Sequence, residues 1–376
     1  KKGHTKMSNI IQAHPDPIAL KNDPRADPRL VAAFAAMGID GLAPDNSRPT
    51  GYNHDQKLAW ISAVEGSGPI GGADLPVKHP DVDVSEVTVQ SLFDENPVQL
   101  LIHRPKSNKE DSAQLLPCII YMHGGAMCMF SQKDAVYVNF RNDLASKGFI
   151  VVGVEFRNAA GKLGHHPYPA GLNDCQSALL WVQTNKQKLG ASKILLCGES
   201  GGANLAMALA LRERSIGGGG VAGVVGMCPY ISGMYSTERR KEAQALGLDS
   251  LHTLDRVFLP NTTLDVCTSL YTPDAKVACS DPQAWPLLAK PAELRGLPPH
   301  LILLNELDSL RDEGFLYYNK LLTAGVRAEC VTARGTTHAA ELLFPRELPD
   351  LRAALLAAIE EFATGLEDKM VVAAKL

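Results

Sequence analysis

Ile194-Leu195-Leu196-Cys197-Gly198-Glu199-Ser200-Gly201-Gly202-Ala203-Asn204-Leu205 is the stretch on which the reading of the fold turns. An apolar run ends at Cys197, and a helical pattern, Ala203–Arg212, begins directly after the glycines. Glycines on both sides of the serine allow a turn so tight that the serine backbone is strained and its hydroxyl exposed. The serine then stands at a helix N-terminus, where unbonded N–H groups and the helix dipole favour negative charge. A strand leading through such a turn into a helix predicts an α/β fold with its chemistry at the C-terminal edge of the sheet.

The pattern repeats on both sides. Strands are predicted at Ser85–Phe93, Val98–Arg104, Pro117–Met122, Phe149–Phe156, Lys193–Cys197, Val221–Met227, His300–Leu304 and Ala328–Val331. Helical stretches at Asp134–Lys147, Leu172–Lys186, Gly202–Glu213, Asp312–Thr323 and Asp350–Thr364 lie between or after them. Strands separated by helices of this length imply right-handed crossovers and a mostly parallel eight-stranded sheet with helices on both faces. The first two strands are close enough for an antiparallel hairpin. Ile231–Pro286 holds no good strand, and a structureless loop of that length is rare, so it reads as an inserted cap. Residues 1–84 are rich in Pro, Asp and Gly, with one amphipathic piece, Pro28–Met37. They are expected to pack with the insertion as a lid. The chain thus divides into an N-terminal cap segment (1–84), a first core part (85–230), the cap insertion (231–286) and a second core part (287–376).

Composition narrows the function. The 376 residues are 45% hydrophobic and 21% charged, which is ordinary for a globular chain able to bury a core. A net charge of −4, with scattered basic residues, provides no field for a nucleic-acid backbone. The apolar runs Phe149–Val154 and Val221–Cys228 fall far short of the ~20 residues of a spanning helix. The eight cysteines form no CxxC pair and several sit in strand-like runs, so they read as reduced, in keeping with a cytoplasmic protein. Lys1–Met7 reads as an expression scar before an initiator Met, with no apolar signal segment behind it. Ala374-Lys375-Leu376 loosely resembles a peroxisomal address, and a vector-derived end is the simpler reading.

The candidate chemistry is nucleophilic. His123-Gly124-Gly125-Ala126 follows the apolar run Cys118–Met122, and glycines at a strand end let backbone amides approach a ligand. The N–H groups of Gly124 and Gly125, with that of Gly201 after the serine, are the expected oxyanion donors. A serine nucleophile needs a base and an orienting acid, in the chain order serine, acid, histidine. His252 lies in the insertion and His300 at the wrong end of its strand. His338 sits in a loop just past the last strand, on the correct edge. Asp308 follows the next-to-last strand and is preferred as the acid over Glu306, Asp312 and Glu313. Cys128 and Met129 are expected in core or pocket packing, Trp60 and Trp285 as packing anchors, and Glu155 and Asp174 in buried polar networks. His165-His166 has no third ligand at metal-binding spacing, so no metal or organic cofactor is expected.

Over roughly residues 85–365 the chain resembles the hormone-sensitive-lipase-like (bacterial family IV) branch of α/β-hydrolase esterases. His123-Gly124-Gly125-Ala126 is similar to that family's HGGG loop. Val154-Glu155-Phe156-Arg157 and His166-Pro167-Tyr168-Pro169-Ala170 are similar to its VEYRLAPEHPFPA segment. Gly198–Gly202 is similar to its GDSAG elbow, and Asp308-Ser309-Leu310-Arg311-Asp312-Glu313-Gly314 to its DPLRDEG segment. The chain departs at Ala126, Glu199 and Gly201, and most of all over Asn158–His165. Gly201 in place of alanine keeps the N–H donor at a cost in rigidity. The resemblance implies hydrolysis of short- to medium-chain esters under a cap that shapes the acyl and alcohol pockets. It also allows a homodimer, with no interface visible in the residues. An acyltransferase, an amidase or lactonase on the same residues, or a non-catalytic receptor on the same scaffold, are the alternatives.

Overall fold

The computed structural model describes residues 16–43, 51–68, 71–72, 74–106 and 115–366. Eight strands, β1 (Val82–Gln90), β2 (Pro97–Pro105), β3 (Leu116–Met122), β4 (Ile150–Glu155), β5 (Ala191–Glu199), β6 (Val221–Met227), β7 (His300–Asn305) and β8 (Ala328–Ala333), build one sheet in the order β1-β2-β4-β3-β5-β6-β7-β8. β1 pairs antiparallel with β2, and β2 antiparallel with β4; all other pairings are parallel.

The longer helices are α1 (Pro28–Ala36), α2 (His54–Gly66), α3 (Ala135–Ser146), α4 (Ala170–Thr184), α5 (Gly201–Ser215), α6 (Asn261–Tyr271), α7 (Arg311–Thr323) and α8 (Pro349–Thr364). Because side chains alternate along a strand, the central strands feed two cores. Ile119, Tyr121, Val151, Leu195 and Val225 pack with residues of α1, α3 and α8. Ile120, Met122, Val152, Leu196 and Val224 pack with residues of α4, α5 and the insertion. β3 to β6 are therefore apolar runs, as expected for strands covered on both faces.

The expected strands and helices agree with the observed ones to within a few residues, and the largest offset is β1. It starts three residues before Ser85 and stops at Gln90, where Ser91 N–H donates to Asn96 O and closes the hairpin. β1 lies at the sheet edge with most side chains exposed, so burial leaves little alternation to mark its ends. Leu92 and Phe93, which lengthened the prediction, are exposed turn residues.

The segment between β6 and β7 carries α6 and several short helices. Its base is an aromatic cluster in which Trp285, fully buried, meets Tyr230, Tyr235 and Tyr271 with ring centroids 5.3, 6.3 and 5.6 Å away. The Trp285 indole N–H donates to Thr272 Oγ1 at 3.2 Å, so this large ring is buried with its polar group bonded. Glu313 on α7 accepts from Ile231 N–H and Tyr235 O–H, both at 2.7 Å, and anchors the start of the segment to the core.

The N-terminal residues divide between two places. α1 lies beside the β8–α8 region: Asp27 N–H donates to Gly335 O, and Phe34 packs against Phe258 and Phe344. α2, opened by a capping box between Asn53 and Gln56, lies against α6, where Lys57 Nζ bonds Ser269 Oγ at 3.0 Å.

Candidate active site

Ser200 stands between the end of β5 and the start of α5 with φ 56° and ψ −118°, a left-handed conformation that costs a non-glycine residue about 1–3 kcal/mol. Three backbone bonds hold it there: Ser200 N–H to Met227 O at 2.9 Å, and the amides of Asn204 and Tyr230 to Ser200 O at 3.2 Å each. The flanking glycines are dictated by space. A Cβ on Gly198 would lie 2.2 Å from the Gly202 carbonyl carbon and oxygen, and one on Gly202 would lie 2.1 Å from Met122 O.

The loop after β3 approaches this turn equally closely. Gly125, Ala126, Met127 and Phe130 all have positive φ, between 54° and 99°. A Cβ on Gly201 would lie 2.6 Å from Met127 N and 2.7 Å from Ala126 Cα. Glycine at 201 is therefore demanded by the neighbouring loop, beyond the loss of rigidity expected from sequence. Two of the chain's departures from the family pattern, Ala126 and Gly201, thus lie against each other. Gly201→Ala is expected to displace the loop and lower kcat about tenfold, with Ala126→Gly in the same chain recovering part of the loss; steady-state rates and melting curves of the single and double variants check this.

The expected donors differ in their surroundings. The Gly124 N–H faces the Glu199 carboxylate, and a Cβ at 124 would lie 2.3 Å from Glu199 Oε1. Gly125, Ala126 and Ser200 line the cavity described below, whereas Gly124 does not. Gly125, Ala126 and Gly201 carry amides that bond to no backbone carbonyl among the described residues. On the loop, Gly125 and Ala126 thus border the cavity, while Gly124 is turned to Glu199.

His338 and Asp308 come together because the segments after β7 and β8 are joined residue by residue. Glu306 N–H donates to Ala333 O, Leu307 N–H to Thr336 O, and Gly335 N–H to Glu306 Oε2. Asn305, the last residue of β7, donates to Thr336 Oγ1 and Glu341 Oε2 and accepts from Ala339 N–H. In that frame His338 Nδ1 lies 2.8 Å from Asp308 Oδ2, while Asp308 Oδ1 accepts from Leu310 N–H at 3.0 Å. Nδ1 carries the proton toward the carboxylate, which leaves Nε2 as the basic nitrogen.

The rival residues are occupied elsewhere. Glu306 accepts from Gly335, Asp312 from Ser250 N–H, and Glu313 from the insertion. His300 is fully buried at the opposite end of β7, its pKa pushed down to about 4 by burial. His252 lines a separate cavity between the insertion and Gly51, Tyr52 and Lys57. His123 stacks on Phe156 at 4.3 Å and bonds Gly124 O through Nδ1; burial pushes its pKa down to about 4, so the ring is neutral.

Burial disfavours the imidazolium of His338, but the adjoining Asp308 carboxylate and Cys228 together raise its pKa well above 6.5. Glu199 is pushed up to about 7 by burial, against the lowering influence of His338 and the Gly124 N–H. Its Oε2 has no hydrogen-bond partner among the described residues. Cys228, directly after β6, places its thiol against His338 and Asp308, the three ligand-type atoms lying within 4.8 Å of one another. Burial pushes that thiol up to about 11, so it stays protonated at neutral pH. His165 and His166 join no group of three metal-type donors among the described residues. All eight cysteines are free thiols, and no described helix is long and apolar enough to cross a membrane.

Ser200 and His338, 6% and 5% exposed, open onto one cavity of about 350 Å³. Its apolar wall includes Met129 and Phe130 from the loop, Phe258, Leu259 and Leu264 from the insertion, and Val64 from α2. Cys128 is buried in the core, its thiol donating to Cys267 O. Glu155 accepts from Ser131 and Gln132, and Asp174 from Arg157, in polar networks away from the cavity. Asn305, Cys228 and the loop contact of Glu199 were not singled out from sequence. The only local signal for Asn305 is a polar residue closing a fully buried strand.

The sheet order and the strained serine at its centre place the chain in the α/β-hydrolase class. Residues 119–342 match the alpha/beta hydrolase fold family. The chain superposes on brefeldin A esterase, described as a bacterial homologue of human hormone-sensitive lipase, with a TM-score of 0.86 and 32% identity, covering 94% of this chain and 99% of that one. It is 33% identical over 221 residues to carboxylesterase NlhH of Mycobacterium tuberculosis, covering 57% of this chain and only 63% of that enzyme's length. It is also 26% identical over 331 residues to 2-hydroxyisoflavanone dehydratase of Glycyrrhiza echinata, covering 81% of this chain and 95% of that enzyme. The chain belongs to the α/β-hydrolase family, on its hormone-sensitive-lipase-like branch.

Proposed function

We propose that the chain is a carboxylic ester hydrolase that works through an acyl-enzyme on Ser200, His338 and Asp308. The observation that carries this reading is the His338–Asp308 bond of 2.8 Å on the wall of the cavity that also holds the strained Ser200. Ser200 Oγ attacks the ester carbonyl while His338 Nε2 takes its proton. Asp308 keeps Nδ1 protonated and stabilises the imidazolium that forms. The tetrahedral oxyanion is met by the N–H groups of Gly125, Ala126 and Gly201, fixed before substrate arrives and therefore needing no reorganisation. His338 then protonates the leaving alcohol, and water repeats the sequence to release the acid.

The substrates in this reading are small-molecule esters with short to medium acyl chains. An apolar cavity of about 350 Å³ lies at the small end of ligand sites, and insertion and α2 residues form part of its wall. Residues 1–84 and 231–286 act here as the cap that sets the chain length. Across p-nitrophenyl esters from acetate to palmitate, kcat/KM is expected to peak at butyrate to hexanoate and to fall by about 100-fold at palmitate; a maximum at the long chains contradicts the reading. Similarity to brefeldin A esterase and to carboxylesterase NlhH supports hydrolysis as the reaction.

A further inference from the structure

Ala126, Met127 and Phe130 hold left-handed backbone without the freedom of glycine, and Gly125 sits among them at φ 99°. Such a run persists only where its surroundings over-determine it. Part of the restraint is local: the amides of Cys128 and Met129 donate to Gly125 O. Part comes from the loop after β4, where Ala159 N–H donates to Met127 O at 2.8 Å and Asn158 Nδ2 to Phe130 O at 2.9 Å. The remaining restraint comes from far away in the chain. Glu65, in the last turn of α2, accepts from Phe130 N–H at 2.7 Å through Oε1 and from Lys162 N–H at 2.6 Å through Oε2.

One carboxylate thus joins three pieces separated by 65 and 97 residues: the N-terminal helix, the loop after β3 and the loop after β4. The loops are shaped to receive it. Gly161, at φ 71°, packs so closely that a Cβ there would lie 2.6 Å from Glu65 Oε2 and 3.0 Å from Cys128 O. Next to Glu65, Val64, Ser67 and Gly68 line the cavity above Ser200. Hydrogen bonds to an ionised acceptor are about twice as strong as neutral ones, so this contact is suited to holding a strained loop.

We propose that Glu65 is a positioning residue for the oxyanion loop: by clamping the Phe130 and Lys162 amides it holds Gly125 and Ala126 in donating geometry. The N-terminal segment is then part of the machinery that stabilises the transition state as well as a cover for the cavity. Glu65 touches neither substrate nor reacting atoms; it acts through the loop. The proposal rests on the esterase reading above, and its test separates the two.

The test compares wild type, Glu65→Gln and Glu65→Ala in hydrolysis of p-nitrophenyl butyrate and in inhibition by n-butylboronic acid. The boronate forms a tetrahedral adduct on the serine and reports oxyanion-hole geometry without turnover. Loss of the clamp is expected to lower kcat of the alanine variant about ten- to hundredfold, with boronate affinity falling in step and KM staying within about threefold. The glutamine variant, which keeps one acceptor and the side-chain volume, falls between the two and carries the test if the alanine variant does not fold. A residue that merely fastens the lid would raise KM or lower the melting temperature and leave kcat and boronate affinity at wild-type values; that result overturns the proposal. Turnover by the wild-type protein reports on the esterase reading independently, so an active wild type with unaltered variants removes the role of Glu65 alone.

Discussion

Ser200→Ala is expected to lower kcat for ester hydrolysis by about five to six orders of magnitude and to abolish labelling by a fluorophosphonate. The expectation follows from what the substitution changes and what it leaves. Alanine at φ 56° is strained as serine is, and the bonds that hold the turn run through the backbone of residue 200. The fold and the oxyanion loop therefore survive, and only the nucleophile is lost. Residual catalysis from the remaining donors and from binding is about 10³-fold over water. A melting curve equal to wild type, together with rates on p-nitrophenyl butyrate, separates loss of the nucleophile from loss of structure.

Asp308→Asn carries the second large effect, a fall of about 10⁴-fold in kcat. An asparagine NH₂ facing Nδ1 favours the tautomer that has its proton on Nε2, the nitrogen that has to accept one. The pH dependence provides an independent signature. His338 has to be neutral to act as a base, so kcat/KM is low below its pKa and rises through it. In the wild type Asp308, with a contribution from Cys228, holds that pKa above 6.5, and the acid limb of the profile therefore lies above pH 6.5. Without the carboxylate, burial prevails and disfavours the imidazolium, so the limb moves to lower pH. Profiles of kcat/KM for the two proteins show the shift directly; a limb that stays in place contradicts the assignment of Asp308.

The parts of the site legible in the sequence are those encoded within one strand and the turn that follows it. Ser200, Asp308 and His338 each stand just beyond a strand with a clear apolar pattern, and parallel strands deliver such positions to one edge of the sheet. The loop residues that border the cavity were legible only to within one residue. Whether Gly124 or Ala126 faces the cavity depends on Glu199 lying beneath Gly124, a contact between β5 and the loop after β3 that no local pattern encodes. The roles of Asn305, Cys228 and Glu65 were not legible, because each is defined by atoms brought close through tertiary packing. No local pattern marks Glu65, and only the folded chain shows two loop amides converging on it. The edge strand β1 was displaced by three residues for a related reason: pairing with β2 sets its ends, and burial leaves little trace there.

The central claim is that the acyl group passes through a covalent bond to one serine. Acid quenching of the protein a few milliseconds after mixing with excess p-nitrophenyl butyrate, followed by intact-mass and peptide mass spectrometry, reads that bond directly. Ser200 as acyl donor and acceptor predicts a butyryl adduct on the peptide that contains Gly198–Gly202, formed in step with a burst of p-nitrophenol and missing from Ser200→Ala. Turnover at the wild-type rate with no adduct at any time point, or an adduct on another side chain, contradicts it.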